Sequence, residues 1–200
     1  PLAKTGGLAD VVHGLARELA QRGEDIEVIL PLYDTLTRDG VPVPELYFSD
    51  LVVPFHDESV RCDVYLVEAE DVRCFLIDPK SARGLFSRGT LYGEPDDDER
   101  FAFFSRAALE FLYLTGRNPD VIHCHDWQTG LVPVLLFELY EQRGMTHPRV
   151  CYTLHNVGYQ GVTGEAVLRL VGLDPKRMMT PDRLLDHTHT DAVNLMKGGI

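Results

Sequence analysis

Three short polar segments contain the residues best suited to chemistry: KTGGL at 4–8, HCHDW at 123–127 and HNVGYQG at 155–161. The first combines a lysine with paired glycines. Backbone N–H groups at a helix N-terminus and a nearby ammonium group suit a phosphate or a developing oxyanion. The alternative is that Gly6-Gly7 forms only a tight turn beside a solvated Lys4. The segment matches neither a Walker loop nor G-x-G-x-x-G.

The second segment contains two histidines that fall on one face of a predicted strand. His123 and His125 share that face, whereas Cys124 points to the other. The three side chains therefore do not converge on one ion, and no Glu or Cys pair completes a zinc set, so we predict no metal site. We expect His125 and Asp126 to hydrogen-bond a polyhydroxyl ligand, with Trp127 packed nearby. The alternative is a buried histidine followed by a helix-capping aspartate.

The third segment again follows an apolar strand. His155 and Asn156 come directly after that strand, and two glycines further on permit an unusual backbone path. Tyr159 and Gln160 either contact a sugar or simply pack against the protein. The chain contains no G-x-S-x-G elbow, so the pattern does not support Ser-His-Asp catalysis.

The elements that must position these segments alternate between strands and helices. The first half of the sequence predicts a helix over about 8–22 with a one-faced apolar stripe, a strand ending at Pro31, a loop over 38–50, a hairpin around Glu70-Asp71 and a long polar loop over 79–99. The second half predicts a helix over 99–114 with Phe101, Phe104, Ala108, Phe111 and Leu112 on one face, a strand ending at 125, a helix over about 129–144, a strand ending at 154, and helical pieces near 165–171 and 191–200. The acidic run 96–99 is interpreted as favouring a helix N-terminus. This order predicts an α/β fold with an open, mostly parallel sheet covered by helices on both faces. Ligands bind at the carboxyl ends of the strands in such sheets.

Composition narrows the possible partners. The chain has 200 residues, a formal net charge of −12 and 44% hydrophobic residues. Such an acidic chain lacks the basic surface that nonspecific nucleic-acid binding needs, so we predict no nucleic-acid partner. No apolar run reaches the roughly 20 residues that span a bilayer, so we predict no membrane partner. The four cysteines lie in apolar, strand-like stretches, which predicts buried reduced thiols and a cytoplasmic protein.

The segments KTGGLADV, DVIHCHDWQTGLVP and TLHNVGYQG, in this order, resemble bacterial glycogen synthases and plant starch synthases. The resemblance covers almost the whole chain. It implies a retaining glucosyltransferase of the GT-B type, in which two Rossmann-like domains face each other across a cleft. The reaction it implies moves glucose from ADP-glucose, or from UDP-glucose in relatives, to the non-reducing end of an α-1,4-glucan. It implies no metal and no cofactor.

The same resemblance assigns roles to individual residues. Lys4 and the Gly6-Gly7 turn match the donor loop near the diphosphate, and the backbone carbonyl of His155 matches a group near the anomeric carbon. Asp126 matches an acidic residue that contacts sugar hydroxyls. The resemblance therefore predicts His155, Lys4 and Asp126 as catalytic residues. The predicted substrate-binding residues are Lys4, Gly6, Gly7, Tyr92, His125, Asn156, Tyr159 and Gln160, of which Tyr92 matches an acceptor-side aromatic residue.

The resemblance also predicts what this chain lacks. Residues 1–200 correspond to the N-terminal, acceptor-side domain, and we expect a strand before Pro1 and a C-terminal nucleotide-sugar domain with an E-x-x-G-L motif to be missing. That C-terminal domain is therefore an expected partner, and the isolated chain is expected to be inactive. Two other hypotheses stay open: another GT-B transferase of the sucrose or trehalose-phosphate type, and a noncatalytic glucan-binding module.

Overall fold

The computed structural model describes Leu2, residues 6–36 and residues 42–200. The chain divides into two compact units. The first comprises residues 1–52 and 60–94, and the second comprises residues 53–59 and 95–200. Lys4 lies outside the described residues.

The first unit begins with helix α1, Gly7–Gln21, which agrees with the predicted helix. Gly6 precedes it with a φ of 89°, and Gly23 follows it with a φ of 93°, a left-handed conformation that glycine adopts without steric cost. Strand β1, Glu27–Pro31, comes next. The buried face of the helix contributes Ala16 to an apolar core shared with the strands.

Most of a four-stranded sheet lies in the first unit, whereas residues 53–59 of that sheet are assigned to the second. Its other strands are β2, Glu45–Phe55, β3, Glu58–Ala69, and β4, Val72–Pro79, in the order β1-β4-β3-β2. Strand β4 pairs parallel with β1 and antiparallel with β3. The predicted hairpin is confirmed, because Glu70 and Asp71 form its turn with φ values of 51° and 65°.

The loop predicted over 38–50 is wrong in its second half, where the chain already forms β2. Residues 37–41 lie outside the described part of the chain. The sequence predicts a loop because residues 38–50 are rich in proline, glycine and acidic residues. Strand β2 is at the edge of the sheet, and an edge strand tolerates acidic residues.

The second unit is built around helix α2, Asp97–Leu114. Asp97, Asp98 and Glu99 lie in its first turn, which confirms the interpretation of the acidic run. The apolar residues predicted on one face are buried, but the burial extends to every side of the helix from Arg100 to Leu112. Arg100 is accommodated by an ion pair with Asp97, and other polar residues on the helix pair with each other in the same way.

Two parallel strands carry the polar segments of this unit. Strand β5 is Val121–His125 and β6 is Arg149–Thr153, with His125 opposite Thr153. The connection between them follows the predicted helix, but it is irregular. It consists of a 3-10 turn Trp127–Thr129, helix α3 Leu131–Leu135, a π-helical turn Leu136–Tyr140 and a 3-10 turn Glu141–Arg143.

The remaining elements of the second unit are short. They are strand β7 Val162–Gly164, helix α4 Ala166–Leu170, helix α5 Pro175–Met178, strand β8 Ala192–Asn194 and a 3-10 turn Leu195–Gly199. The helix predicted over 191–200 is wrong in its first part. Residues 192–194 pair antiparallel with β7, so their backbone groups form the hydrogen bonds of a strand pair rather than those of a helix.

The α/β class is confirmed, but the described strands do not form one open, mostly parallel sheet. They form a mixed four-stranded sheet, a parallel pair β5-β6 and an antiparallel pair β7-β8. Of the cysteines, Cys151 is exposed, which corrects the prediction that all four are buried. None of the helices in the described ranges is long and apolar enough to cross a membrane.

Candidate active site

Residues of the second and third polar segments meet at the carboxyl ends of β5 and β6. Because these strands run parallel, the chain leaves both of them at the same edge. Asp126 follows β5, and His155 and Asn156 lie just beyond β6. The sequence-based expectation that this edge gathers the polar residues is therefore correct for this pair of strands.

Asp126 joins the two strand ends directly. Its Oδ1 accepts hydrogen bonds from the backbone N–H of His155 at 2.7 Å and of Asn156 at 3.2 Å. The residue is 7% exposed, so both bonds lie largely away from water. Within the described residues the carboxylate makes no capping bond to the 3-10 turn that follows it. The helix-capping alternative is therefore not what the structure contains.

The backbone of Asp126 is strained. Its φ of 55° and ψ of −179° fall in a region that is essentially restricted to glycine. Thr129 stabilises the turn, since its hydroxyl accepts from the backbone N–H of His125 at 2.7 Å and donates to the carbonyl of the same residue at 2.8 Å. Such strain persists only where surrounding contacts over-determine it, and it clusters at functional sites.

The bonds to Asp126 also orient the carbonyl of His155. No peptide bond among the described residues is cis. In a trans peptide the C=O of His155 and the N–H of Asn156 point in opposite directions. Because that N–H points to Asp126, the carbonyl of His155 points away from the carboxylate.

Three histidine rings stack beside this carboxylate. His123 and His125 have ring centroids 4.2 Å apart, and His125 and His155 have centroids 5.3 Å apart. Nδ1 of His125 lies 3.0 Å from Nε2 of His155, so one of these nitrogens donates to the other. Nε2 of His123 lies 2.7 Å from the hydroxyl of Thr153.

Burial and the neighbouring histidines lower the pKa of His125 to about 4, and the same causes lower the pKa of His123. His125 is therefore neutral near pH 7, as a stacked set of imidazoles requires. Burial raises the pKa of the adjacent Cys124 to about 12, which keeps this thiol protonated and unreactive. Within the described ranges no group of three or more His, Cys, Asp or Glu residues is arranged to hold a metal ion.

The loop after β6 is built by local hydrogen bonds. The side chain of Asn156 accepts from the backbone N–H of Gly158 at 2.9 Å, and Nε2 of Gln160 donates to the carbonyl of Val157 at 3.0 Å. Tyr159 is 72% exposed, so it does not pack against the protein. Trp127 packs against the loop at Gly161, where a Cβ would come within 2.4 Å of the indole.

The predicted site residues fall into two groups. The structure brings together His125, Asp126, His155 and Asn156 and places Tyr159 and Gln160 on the adjoining loop. Gly6, Gly7 and Tyr92 belong to the first unit, where Gly6 precedes α1, Gly7 begins it and Tyr92 is exposed.

Sequence reasoning missed four residues that support this site: Thr129, Thr153, Asp186 and Asn194. Thr129 could have been found, because a threonine three residues after a strand-end aspartate is a common turn-stabilising pattern. Asn194 donates to Gln160 at 2.6 Å from 34 residues away along the chain, and no local pattern marks it.

The chain matches the family described as starch synthase catalytic domain over residues 1–200. It is 58% identical to glycogen synthase 1 of Nitrosococcus oceani and 54% identical to glycogen synthase 2 of Methylococcus capsulatus. Each alignment covers 100% of this chain and 41% of the relative. Among solved structures, it matches the catalytic domain of starch synthase IV from Arabidopsis thaliana bound to ADP and acarbose. That match has a TM-score of 0.97 and 41% identity, and it covers 100% of this chain and 40% of the other.

This chain therefore belongs to the starch synthase catalytic domain family, a glycosyltransferase family that includes the glycogen synthases. It spans about two fifths of the length of the curated relatives it matches.

Proposed function

We propose that this chain is the N-terminal, acceptor-side domain of a retaining glucosyltransferase of the GT-B type. The proposed reaction transfers glucose from ADP-glucose, or from UDP-glucose, to the non-reducing end of an α-1,4-glucan. The family match over residues 1–200 supports the class of reaction. The starch synthase IV structure, bound to ADP and to acarbose, a glucan analogue, supports the donor and the acceptor.

The observation that carries the proposal is the clamp of Asp126 on the backbone of His155 and Asn156. It holds a peptide carbonyl in a fixed direction at the carboxyl end of a parallel strand pair. A fixed dipole aimed at the place where charge develops stabilises a transition state without reorganising during the reaction. A peptide carbonyl suits the positive charge that develops at an anomeric carbon.

Glucosyl transfer breaks the bond between the anomeric carbon and the diphosphate and forms a bond to the acceptor hydroxyl. The hydroxyl proton leaves with the departing diphosphate. We assign the carbonyl of His155 to the anomeric centre. Asp126 retains its Oδ2 for a sugar hydroxyl, because the two backbone bonds use Oδ1. His125 and Asn156 border the same site, and Tyr159 and Gln160 lie on its loop.

The donor diphosphate is assigned to the first unit. Gly6 directly precedes α1 and Gly7 is its first residue, and a Cβ on either would meet no described atom within 4 Å, which leaves their backbone open among the described residues. Lys4 would add a positive charge there, and Tyr92 is proposed to contact the acceptor. The proposed enzyme has two Rossmann-like domains that face each other across a cleft. This chain would supply the first, and a C-terminal nucleotide-sugar domain would supply the second.

The test is a chimera in which this chain replaces the matching 200 residues of the Nitrosococcus oceani relative. We expect it to transfer labelled glucose from ADP-glucose to glycogen, with UDP-glucose assayed in parallel. Lys4→Ala and Asp126→Ala are each expected to lower kcat/KM about 100-fold, the size of effect seen when one transition-state contact is lost. Lys176→Ala, which removes the same charge at an exposed position, serves as the control for Lys4.

Calorimetry of the chain with maltooligosaccharides separates the alternatives. Glucan binding by the chain, together with a chimera that transfers no glucose, would favour a noncatalytic glucan-binding module. A chimera that accepts a sugar phosphate or fructose in place of glucan would favour another GT-B transferase. We expect the chain alone to transfer no glucose.

A further inference from the structure

A series of hydrogen bonds connects a buried carboxylate to the exposed loop after β6. Nδ2 of Asn194 donates to Oδ2 of Asp186 at 2.9 Å and to Oε1 of Gln160 at 2.6 Å. Nε2 of Gln160 in turn donates to the carbonyl of Val157 at 3.0 Å. We call Asp186, Asn194 and Gln160 the amide relay.

Each bond of the amide relay has only one possible direction. The carbonyl of Val157 only accepts, so Gln160 must turn its NH₂ towards it and its oxygen towards Asn194. Asn194 must then present its own NH₂, which also satisfies the acceptor-only carboxylate of Asp186. The remaining oxygen of Asn194 accepts from the backbone N–H of Lys197 at 3.4 Å. All these partners agree on one orientation of each amide.

The buried end of the relay is fixed before it reaches the loop. Asp186 and Asn194 are 6% and 3% exposed. Oδ1 of Asp186 accepts from the backbone N–H groups of Thr188 at 2.9 Å and His189 at 2.8 Å. The bonds from Asn194 and from these amides hold the pKa of Asp186 well below its usual range. The anchor is therefore a permanent carboxylate near neutral pH.

The relay reaches a part of the loop that the backbone does not hold. The segment around Asn194 bonds to the C-terminal end of the loop, through Leu195 N–H to Gly161 O at 3.2 Å and Met196 N–H to Gln160 O at 3.0 Å. Among the described bonds, only the side chain of Gln160 extends from this segment to Val157. The turn that presents Tyr159 is therefore held by that side chain together with the local bond from the N–H of Gly158 to Asn156.

We propose that Asn194, anchored by Asp186, is a positioning residue that sets the conformation of loop 156–161 through Gln160. Neither Asn194 nor Asp186 touches substrate. Their role rests on the proposed function, because it is to keep the sugar-binding loop in its competent conformation.

Three variants separate positioning from general stability. Asn194→Asp places a carboxylate against both Asp186 and Gln160, so it disturbs the anchor and the loop. The double variant Asn194→Asp/Asp186→Asn restores a donor–acceptor pair at the anchor but leaves the oxygen of Gln160 facing a carboxylate. Gln160→Ala removes the exposed end alone and leaves the buried pair intact. Asn118→Asp makes the same chemical change at an exposed position and serves as the control.

Hydrogen exchange of peptide 156–161, followed by mass spectrometry on this chain, reads the loop without relying on activity. We expect exchange about tenfold faster in all three variants and unchanged in the control. The Tm is expected to fall in Asn194→Asp and to recover in the double variant. Loop exchange that recovers together with the Tm would overturn the proposal, as would normal loop exchange in Gln160→Ala.

Kinetics of Asn194→Asp and of the double variant in the Nitrosococcus oceani chimera connect the loop to substrate. Gln160→Ala is left out of this assay, because Gln160 is itself a proposed sugar contact. If the competent conformation falls to about one tenth of the population, the KM for the sugar substrate rises about tenfold while kcat stays within about twofold. An unchanged KM with faster loop exchange would overturn the role in sugar binding. A parent chimera that transfers no glucose refutes the proposed function, whereas hydrogen exchange still decides whether the amide relay positions the loop.

Discussion

Replacing Asp126 by asparagine, glycine and alanine separates two opposing contributions at one residue. The carboxylate accepts two backbone hydrogen bonds, at 2.7 and 3.2 Å, while the backbone of the same residue is strained at a φ of 55°. Alanine loses the bonds and keeps the strain. Glycine loses the bonds and relieves the strain. Asparagine keeps an acceptor oxygen of the same shape but loses the charge.

The magnitudes follow from these contacts. Two hydrogen bonds to a charged group contribute about 3–4 kcal/mol here, since the second is long and shares its acceptor with the first. Strain of about 1–3 kcal/mol is partly offset in the glycine variant by about 0.5–1 kcal/mol of extra unfolded-chain entropy. We therefore expect the free energy of unfolding to fall by about 3–4 kcal/mol in the alanine variant. The glycine variant should lose about 1 kcal/mol less than the alanine variant, and the asparagine variant should lose about 1–2 kcal/mol.

Urea unfolding followed by tryptophan fluorescence measures these differences. Trp127 is the only tryptophan of the chain and packs against Gly161, so its emission reports the second unit. A glycine variant less stable than the alanine variant would refute the strain reasoning. An asparagine variant as unstable as alanine would show that the carboxylate does not act through its two accepted bonds.

Three further predictions test other parts of the structure. The pKa of His125 is lowered from 6.5 to about 4 in the folded chain, so as pH falls the imidazole is protonated in the unfolded chain first. The stability of the second unit should therefore fall between pH 6.5 and about pH 4 and stay constant below that. This contribution is about 1–2 kcal/mol after allowance for partial exposure, and urea titrations of His125→Gln across this range should lack it. Gly161→Ala should lower the free energy of unfolding by more than about 2 kcal/mol, because its Cβ would lie 2.4 Å from Trp127 at a φ of 63°. Gly164→Ala is the matched control, since no described atom lies within 4 Å of its Cβ, and it should lower the free energy of unfolding much less in the same assay. Gly7→Ala should raise the free energy of unfolding by at most about 0.5 kcal/mol, since alanine is the better helix former but Gly7 is only the first residue of α1. The same change should lower kcat/KM for ADP-glucose in the chimera if a phosphate approaches this backbone, and an unchanged kcat/KM would argue against the donor-loop assignment.

The strand-end segments were predictable because apolar strands, polar ends and glycines are local features. A parallel pairing of β5 and β6 then brings HCHDW and HNVGYQG to one edge. The alternation along β5 also predicted correctly that His123 and His125 share a face, and their rings stack at 4.2 Å. These inferences required only the side-chain period of a strand and the direction of the chain.

Two of the differences from the predictions have a common cause, since each involves contacts with segments distant in sequence. Residues 192–194 look helical by themselves, but they pair with 162–164 as a strand. Helix α2 has a hydrophobic pattern that predicts one buried face, yet it is buried on every side. Other segments supply partners for its polar residues: Arg106 donates to the carbonyl of Val171 at 3.0 Å, and Glu110 accepts from Arg143 at 2.9 Å. Local propensity is a weak prior when packing supplies the hydrogen-bond partners.

The sequence by itself determined the class of fold, the family and which segments lie at the ends of strands. Each of these depends on the order and spacing of residue types. Only the tertiary structure decided what Asp126 does, because its carboxylate accepts hydrogen bonds from backbone N–H groups about 30 residues further along the chain. It also decided the orientation of the His155 carbonyl and joined Asn194 to Gln160. Whether such hydrogen bonds form depends on differences of a few tenths of an ångström in the distance between remote segments, and no residue pattern encodes that distance.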